Sequence, residues 1–362
     1  MVSLARNGSR GFNLSLPCGT RNFSYAADMA IIRTRSQWVL FILFLIGLFT
    51  MPLYLGQHWL SVANLIGITI IAATGLNILT GYCGQLSVGH AGFIAVGAYT
   101  SAVLTGVYHV PFIIAFIVAG LGSGIIGVIF GVSSLRVKGF YLAIATIAAQ
   151  VIILWVISHL AITGGFNGMH VQKASIFGFI FDQQGKLFLL IMAMATITVY
   201  FAKNLLRTRL GRAFIAIRDN DLAAEVMGIN LFRYKLLAFF IGCFFAGLAG
   251  SLMAHWIGYI SIETFPISDS ILYVGMIIIG GAGSALGPIL GVAFIRLLQQ
   301  GVTQLSPFIQ RTVPDMAAGI TAGLGPLVFG LAIVLFLILE PRGLAHRWQL
   351  FKSSYRLWPF SY

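Results

Sequence analysis

The sequence is poor in charged side chains. Only 9% of its 362 residues are Asp, Glu, Lys or Arg, whereas soluble domains carry about 25%. Hydrophobic residues make up 59% of the chain, and the mean hydropathy is +0.95. A deficit of charge that extends over the whole length excludes an ordinary soluble domain and predicts a polytopic membrane protein.

The chain also lacks the groups that catalysis and metal binding require. Its three cysteines, Cys18, Cys83 and Cys243, are far apart in the sequence, so neither a disulfide framework nor a zinc site is expected. Cys83 and Cys243 suit apolar packing instead. No GxxxxGK[ST] phosphate loop, HExxH or GxSxG motif occurs. We therefore expect no enzymatic activity, no metal and no cofactor bound by this chain.

Positive charge is the exception, with 22 Lys and Arg against nine acids. Five basic residues lie in residues 1–37, two in the link 135–139, seven in residues 203–235 and four after position 341. Cytoplasmic segments of membrane proteins carry such an excess. The pattern predicts that both termini are cytoplasmic, and it indicates orientation in the membrane, with no need for a nucleic-acid partner.

The domain organisation follows from this distribution. We expect a disordered cytoplasmic tail at residues 1–37, a transmembrane domain at 38–340 and a cytoplasmic tail at 341–362. The first tail is also compatible with a transit peptide. Met29 offers an alternative start of the chain.

Apolar runs of sufficient length predict about ten transmembrane helices in an all-α fold. An even number of spans places both termini on one side of the membrane, in agreement with the basic residues. The predicted spans are 38–56, 59–80, 86–107, 111–134, 140–161, 185–202, 236–257, 267–282, 285–301 and 318–339.

Glycines and polar residues interrupt the apolar pattern between spans two and three. Backbone groups that leave a helix within a membrane need partners from protein or water, and broken helices line the substrate routes of transporters. The alternative is an ordinary cytoplasmic turn with Gly81 as a helix C-cap. The candidate pathway residues here are Gly81, Gly84, Gln85, Ser87, Gly89 and His90.

A second interruption lies in the other half of the chain, within the stretch "IIIGGAGSALGPILG" at 277–291. Its glycines allow a tight turn, and a proline within a helix removes a hydrogen bond. Paired interruptions of this kind favour a transporter with broken helices around a central pathway. The candidate residues are Gly280, Gly281, Gly283 and Pro288.

Glycines four residues apart predict stripes where helix backbones approach closely. The alternative is that glycine is simply common in membrane helices. One stripe lies in span four and one at the start of span nine, with the members Gly120, Gly124, Gly127 and Gly131, and Gly283, Gly287 and Gly291.

The basic segment 203–235 contains a short helix of its own. Asp219, Asn220 and Asp221 are favourable N-cap residues and Gly228 is a favourable residue after the helix end. Leu222 and Val226, four residues apart, form one apolar face. This pattern predicts that the helix either lies on the membrane surface or fills a groove of a partner. The alternative is a solvated surface helix.

Five segments in the same order resemble the LivM-type permease of branched-chain amino acid ABC importers. They are "GLNILTGYCGQLSVGHAGFIAVGAY", "LRVKGFYLAIATIA", "ITGGFNGM", "GRAFIAIRDNDLAAEVMGINLFRYKLLAF" and "EPRGL". The resemblance extends from about residue 38 to residue 346. It implies a multi-pass subunit of the bacterial inner membrane that works with a LivH-like second permease, two cytoplasmic ABC ATPases, a periplasmic binding protein and membrane lipid.

The resemblance also implies roles for two loops. Segment 203–235 would dock onto the ATPase, which handles ATP, through Gly211, Arg212, Arg218, Asp219, Asp221, Glu225, Val226, Gly228 and Lys235. The external loop that fits the amino-acid branch contains Thr163, Gly164, Gly165, Asn167 and Gly168. The implied substrates are branched-chain or related hydrophobic amino acids, and the alternatives within the superfamily are urea, short amides or aromatic acids.

A self-sufficient secondary transporter is the remaining alternative. Ion coupling usually depends on ionisable groups within the membrane. Only Arg296 falls clearly inside a predicted span, while Asp269, Asp315 and Glu340 lie near span ends. The distribution of charge therefore favours the ABC permease.

Overall fold

The computed structural model describes residues 35–134, 139–176, 178–312 and 317–357. The chain separates into two compact units at Gly56. In the first unit, helix α1 (Arg35–Thr50) is followed by a 3₁₀ turn (Met51–Leu53). Of the tail predicted at residues 1–37, residues 1–34 lie outside the described residues, and residues 35–37 form the start of α1.

The second unit is almost entirely helical. Its first interruption is a π-helical continuation of α2, Asn77–Tyr82. The helices, in chain order, are α2 (Gln57–Leu76), α3 (His90–Gly106), α4 (Phe112–Ser134), α5 (Phe140–His159), α6 (Gln184–Leu205), α7 (Arg209–Asp219), α8 (Asp221–Val226), α9 (Leu231–Ile257), α10 (Ile267–Gly280), α11 (Gly287–Thr312), α12 (Ala317–Leu339) and α13 (Leu344–Leu357).

These helices confirm an all-α polytopic membrane protein, because each predicted span overlaps one long helix. The number of ten spans is not confirmed. Within the described ranges, seven helices are long and apolar enough to cross a membrane, or eight if the pair Gly323–Leu339 and Leu344–Ser354, bent by 45°, counts as one span. Helix α3 has only 17 residues, because polar residues and glycines replace the first turn that the apolar pattern suggested.

The centre of the second unit is formed by α9, which packs against α2, α3 and α4. Glycines at the crossings allow the backbones themselves to touch. A Cβ atom on Gly97 would lie 2.2 Å from the carbonyl oxygen of Gly247, and one on Gly250 would lie 2.0 Å from that of Ile94. Any larger residue at these positions would force the helices apart.

The predicted glycine stripe of α4 is confirmed as a site of close helix packing, here against side chains of α9. A Cβ atom on Gly120, Gly124 or Gly127 would come within 3.0 Å of a side chain of α9. The second stripe was partly wrong. Gly283 has a φ of +78° and lies in the turn before α11, so only Gly287 and Gly291 belong to the helix.

Two short antiparallel pairs of strands complete the fold. Strands β2 (Ser175–Ile176) and β3 (Phe179–Ile180) form a hairpin. Strand β1 (Met169–His170) pairs with β4 (Tyr259–Ile260), with Met169 opposite Ile260. The second pair joins the loops at 163–186 and 258–268, which the topology prediction places on the same side of the membrane.

Candidate functional site

The first predicted interruption is a real break between α2 and α3. The π-helical segment ends at Tyr82, the residues from Cys83 to Gly89 are not helical, and α3 begins at His90. The backbone N–H of Gln85 reaches back to the carbonyl of Leu79 at 3.1 Å. The break occurs within buried protein, where such an irregular backbone is tolerated.

Glycines allow this break to pack tightly. Gly84 has a φ of +71°, a conformation that favours glycine. A Cβ atom on Gly89 would lie 1.9 Å from the carbonyl oxygen of Thr146 on α5. The predicted importance of these two glycines therefore has a steric basis.

Polar side chains satisfy the backbone at the break, although several of them were not predicted. The N–H of Val88 donates to Thr146 Oγ1 at 2.9 Å, and that of Ala91 donates to Ser270 Oγ at 2.8 Å. Ser270 in turn donates to Gln150 Oε1 at 2.7 Å. These partners come from α5 and α10, which are distant in the sequence.

The three predicted polar residues of the break differ in their hydrogen bonds. Gln85 donates to the carbonyl of Cys83 at 3.4 Å, and His90 Nε2 lies 2.9 Å from the carbonyl oxygen of Ala72. Gln85 thus contacts the interrupted backbone itself, and His90 contacts α2 before its π-helical segment. Ser87 is buried, but its hydroxyl has no hydrogen-bond partner among the described residues.

The second predicted interruption is the turn between α10 and α11. Gly281 and Gly283 both have positive φ values, +104° and +78°. A Cβ atom on Gly280 would lie 1.9 Å from the carbonyl oxygen of Gly287. Pro288 is the second residue of α11, where the first turn has no hydrogen bond to lose. The predicted interruption of a helix by this proline is therefore wrong, while its place on the pathway stays a prediction.

Asn77, in the π-helical segment, joins the two interruptions directly. Its side-chain amide donates to the carbonyl of Ser284 at 2.9 Å and accepts from the N–H of Gly283 at 2.9 Å. The two breaks are therefore neighbours in space, although about two hundred residues separate them in the sequence. Sequence reasoning missed Asn77, and its signal was an amide within an otherwise apolar run.

Arg218, the penultimate residue of α7, connects the basic segment with the place where the two interruptions meet. Its guanidinium donates to the carbonyl of Gly81 at 3.0 Å. It also forms two hydrogen bonds with Asp219, at 3.0 and 2.9 Å. Gly283 leaves room for this group, since a Cβ atom there would lie 2.6 Å from Arg218 Nη1. Three separately predicted segments thus meet at one junction.

The basic segment holds two helices where one was predicted. In α7, Ala213, Phe214 and Ile217 are buried. Gly211 lies close to the end of α6, because a Cβ atom there would be 2.4 Å from the carbonyl oxygen of Leu205. Arg212 is exposed. Helix α7 is thus packed onto the rest of the unit.

The predicted short helix is α8, and its ends are as expected. Asn220 is the N-cap and accepts from the N–H of Ala223 at 3.1 Å. Gly228, at φ +85°, follows the helix in the left-handed conformation. Glu225 is exposed on its surface.

The apolar side chains of α8 point away from the chain. Val226 is 87% exposed, Met227 82% and Leu222 67%, while Ala224 alone is buried within the helix. Large apolar side chains clustered on a protruding helix form a surface that a partner could cover.

Lys235 was predicted to lie in the loop, but it belongs to α9, where it is buried. Its ammonium group forms an ion pair with Asp221 at 3.6 Å. Both residues line a cleft of about 370 Å³ together with Cys83, Gln85 and Arg218. The ion pair fixes α8 against the first turns of α9.

The external loop contains two 3₁₀ turns, Ala161–Thr163 and Gly165–Asn167. Thr163 donates to the carbonyl of Ile157 at 2.6 Å, and Gly164 and Gly168 have positive φ values. These contacts are structural, and they lie far in the sequence from the junction around Asn77. No cluster of three metal-ligating side chains occurs in the part of the chain that the structure describes.

Comparison with known proteins identifies the family. The family model described as "Branched-chain amino acid transport system / permease component" matches residues 59–339. The high-affinity branched-chain amino acid transport system permease protein LivM of Escherichia coli is 29% identical over 331 residues, which cover 83% of this chain and 74% of that protein. No solved structure matches this chain.

Two further relatives show the range of similarity. The probable branched-chain amino acid transport permease protein LivM of Methanocaldococcus jannaschii is 27% identical over 239 residues, 64% of this chain and 67% of that protein. The autoinducer 2 import system permease protein LsrC of Photorhabdus laumondii is 33% identical over 125 residues, 33% of this chain and 35% of that protein. The family match covers both interruptions and the whole of α7 and α8, and the chain belongs to the branched-chain amino acid transport system permease components.

Proposed function

We propose that this chain is a permease subunit of an ABC importer in the bacterial inner membrane, and that the importer carries branched-chain or related hydrophobic amino acids. The substrate class is supported by the LivM relatives, which are branched-chain amino acid transport permeases and match most of this chain. Similarity to an autoinducer 2 import permease over 125 residues shows that part of the sequence is shared with importers of other solutes. An importer of another small polar solute is therefore the second candidate.

The observation that carries the proposal is the position of α8. Its exposed side chains Leu222, Val226 and Met227 form an apolar tip, and Arg218 connects the adjacent helix with both interruptions. A partner that moves this tip would displace the backbone at the breaks. Hydrolysis in a separate ATPase drives transport only if the contact differs between two states of the permease.

The remaining parts of the proposal concern partners and orientation. The chain binds no ATP itself, one of two cytoplasmic ABC ATPases docks at α8, and a LivH-like second permease and a periplasmic binding protein complete the importer. Residues 203–235 and both termini face the cytoplasm, because most of the basic residues then lie inside.

Reconstitution in proteoliposomes tests the proposal. The chain with its second permease, the ATPase pair and the binding protein should take up leucine in an ATP-dependent manner, and omission of the ATPases should abolish uptake. Uptake by this chain alone, driven by a proton or sodium gradient, would instead establish the secondary transporter. Exchange of the binding protein for those of other solutes identifies the substrate.

Orientation is tested by thiol labelling. In a Cys18→Ser background, Met227→Cys should react with an impermeant reagent only in inverted vesicles, and Phe179→Cys only in intact cells, since both positions are highly exposed. The native Cys83 should stay silent because it is buried and because burial raises the pKa of its thiol to about 12, which leaves little reactive thiolate. Labelling of position 227 from outside would contradict the topology.

A further inference from the structure

A polar cleft lies between α2, α11 and α12, away from the junction around Asn77. Its volume is about 460 Å³, within the range of small-molecule pockets, about 300–1,000 Å³. One side of α11 contributes the polar lining, at the spacing of one helix face. These residues are Arg296, Gln299, Gln300 and Thr303.

Arg296 lies deep in the membrane-spanning part of the chain. Its Nε donates to Thr69 Oγ1 at 3.2 Å. Thr69 is in the middle of the candidate span Gln57–Tyr82, so the guanidinium is at mid-membrane depth. A charge at this depth is costly, and such residues usually mark the route of a substrate or ion.

The guanidinium keeps donors for a ligand. Besides the bond to Thr69, its Nη1 donates to Gln299 Oε1 at 2.8 Å, and the guanidinium also contacts the Tyr273 hydroxyl on α10. An arginine has five N–H donors, so these three contacts leave some of them free for a ligand. Asp269 on α10 interacts electrostatically with Arg296, but the two form no ion pair within 4.0 Å in the described ranges. The nearby negative charge offsets part of the cost of the cation while leaving its planar fork available to a carboxylate.

The other walls of the cleft are apolar. Val62 and Leu65 come from α2, and Leu324 and Phe329 come from α12. A cation at one end and apolar walls along the sides match a small molecule with a carboxylate and a hydrocarbon side chain. We propose that this cleft is a transit site for the imported amino acid, in which Arg296 binds the carboxylate and the apolar walls hold the side chain.

The direction of the cleft agrees with import, and the inference rests on the function proposed above. Gln300, one turn beyond Arg296, has its amide nitrogen 2.8 Å from Nε2 of His58, in the first turn of α2. In the proposed orientation this end of α2 faces outward. The polar side of α11 therefore leads from the outer face of the membrane to Arg296.

Protection from labelling tests the site without the binding protein. The chain carrying Thr303→Cys and Cys18→Ser is placed in nanodiscs with its second permease and the ATPases but without the binding protein, and its reaction with an impermeant thiol reagent is timed. Leucine at about ten times its Kd should slow the reaction about tenfold by mass action. 4-Methylpentanoate, which keeps the carboxylate, should also slow it, whereas leucinamide, which lacks the carboxylate, should not.

Variants of Arg296 show whether it is the ligand. Arg296→Gln should weaken binding about 10- to 100-fold, as expected for lost hydrogen bonds between charged groups, so protection by leucine disappears. Arg296→Lys should restore part of it. Phe179→Cys, in the β2–β3 hairpin, serves as a control whose labelling no ligand changes.

The outcomes separate this site from the proposed function. Protection by leucinamide equal to that by leucine, or full protection in Arg296→Gln, would overturn the site even if the importer takes up leucine. Absence of ATP-dependent leucine uptake in the unmodified importer would remove the proposed function and the transit site together.

Discussion

The two short helices of the basic segment, α7 and α8, follow one another directly, but α7 buries its apolar side chains and α8 exposes them. Phe214 of α7 is fully buried, at 0% exposure, whereas Val226 of α8 is 87% exposed. Burial of an apolar side chain stabilises a protein by about 1.5–3 kcal/mol. Helix α7 gains this stabilisation within its own chain, whereas α8 leaves its large apolar side chains uncovered.

The difference teaches how one segment can be both anchored and available. Helix α7 is held by its buried face and by the bond from Arg218 to Gly81. Helix α8 is held by its Asn220 cap and by the ion pair between Asp221 and Lys235. The fold thus fixes the position of an apolar surface without covering it.

The sharpest test of this comparison places the same charge on each helix. Phe214→Asp should remove the permease from the membrane fraction, because an unpaired buried charge costs several kcal/mol against a total stability of about 5–15 kcal/mol. Val226→Asp should leave permease levels normal but abolish ATPase co-purification and uptake. If Val226→Asp keeps both ATPase binding and transport, α8 is only a solvated surface.

A smaller effect is expected at the link between the helices and the breaks. Arg218→Ala removes a hydrogen bond from a charged group, worth about 1.5–3 kcal/mol. The variant importer should still bind its ATPases and hydrolyse ATP, but move less leucine per ATP. The ratio of uptake to hydrolysis in proteoliposomes measures this coupling, and Arg233→Ala is the control, because Arg233 is exposed at the start of α9 and is not among the residues expected to dock. An unchanged ratio would show that Arg218 only packs.

The smallest effect concerns the ends of α8. Asn220→Ala removes the N-cap, which costs about 1 kcal/mol. We expect the apparent affinity for the ATPase to fall about fivefold, and Asn220→Ser, which retains a capping oxygen, should restore it. Titration of the ATPase onto the permease pair gives the affinity. Equal affinities for the two variants would indicate that the cap does not position the apolar tip.

The sequence predicted most of the helices, because apolar runs and basic clusters are local signals. It also located both breaks and the caps of α8, since glycine, proline and Asn signal turns by their own conformational preferences. The number of ten spans stays a prediction, because apolar length alone does not distinguish a full span from a shorter helix such as α3.

What could not be predicted depends on contacts between distant segments. Nothing in the sequence near Asn77 points to Gly283 and Ser284, and nothing near Ala91 points to Ser270. Pro288 was misread because the same residue breaks a helix in its middle and starts one at its first turn. The cleft around Arg296 likewise needs three helices to be in place.

The backbone contacts of α9 with α3 and α4 have a consequence for motion. Gly97 of α3 meets the backbone of Gly247, Gly250 meets the carbonyl of Ile94 on α3, and Gly247 meets the carbonyl of Ala119 on α4. At these contacts backbone faces backbone, and no side chain lies between whose rotation could absorb a sliding movement. Close-packed interiors resist continuous deformation. The three helices should therefore move as a single body, and the changes of shape that open and close a route should occur at the glycine turn between α10 and α11, beside this body.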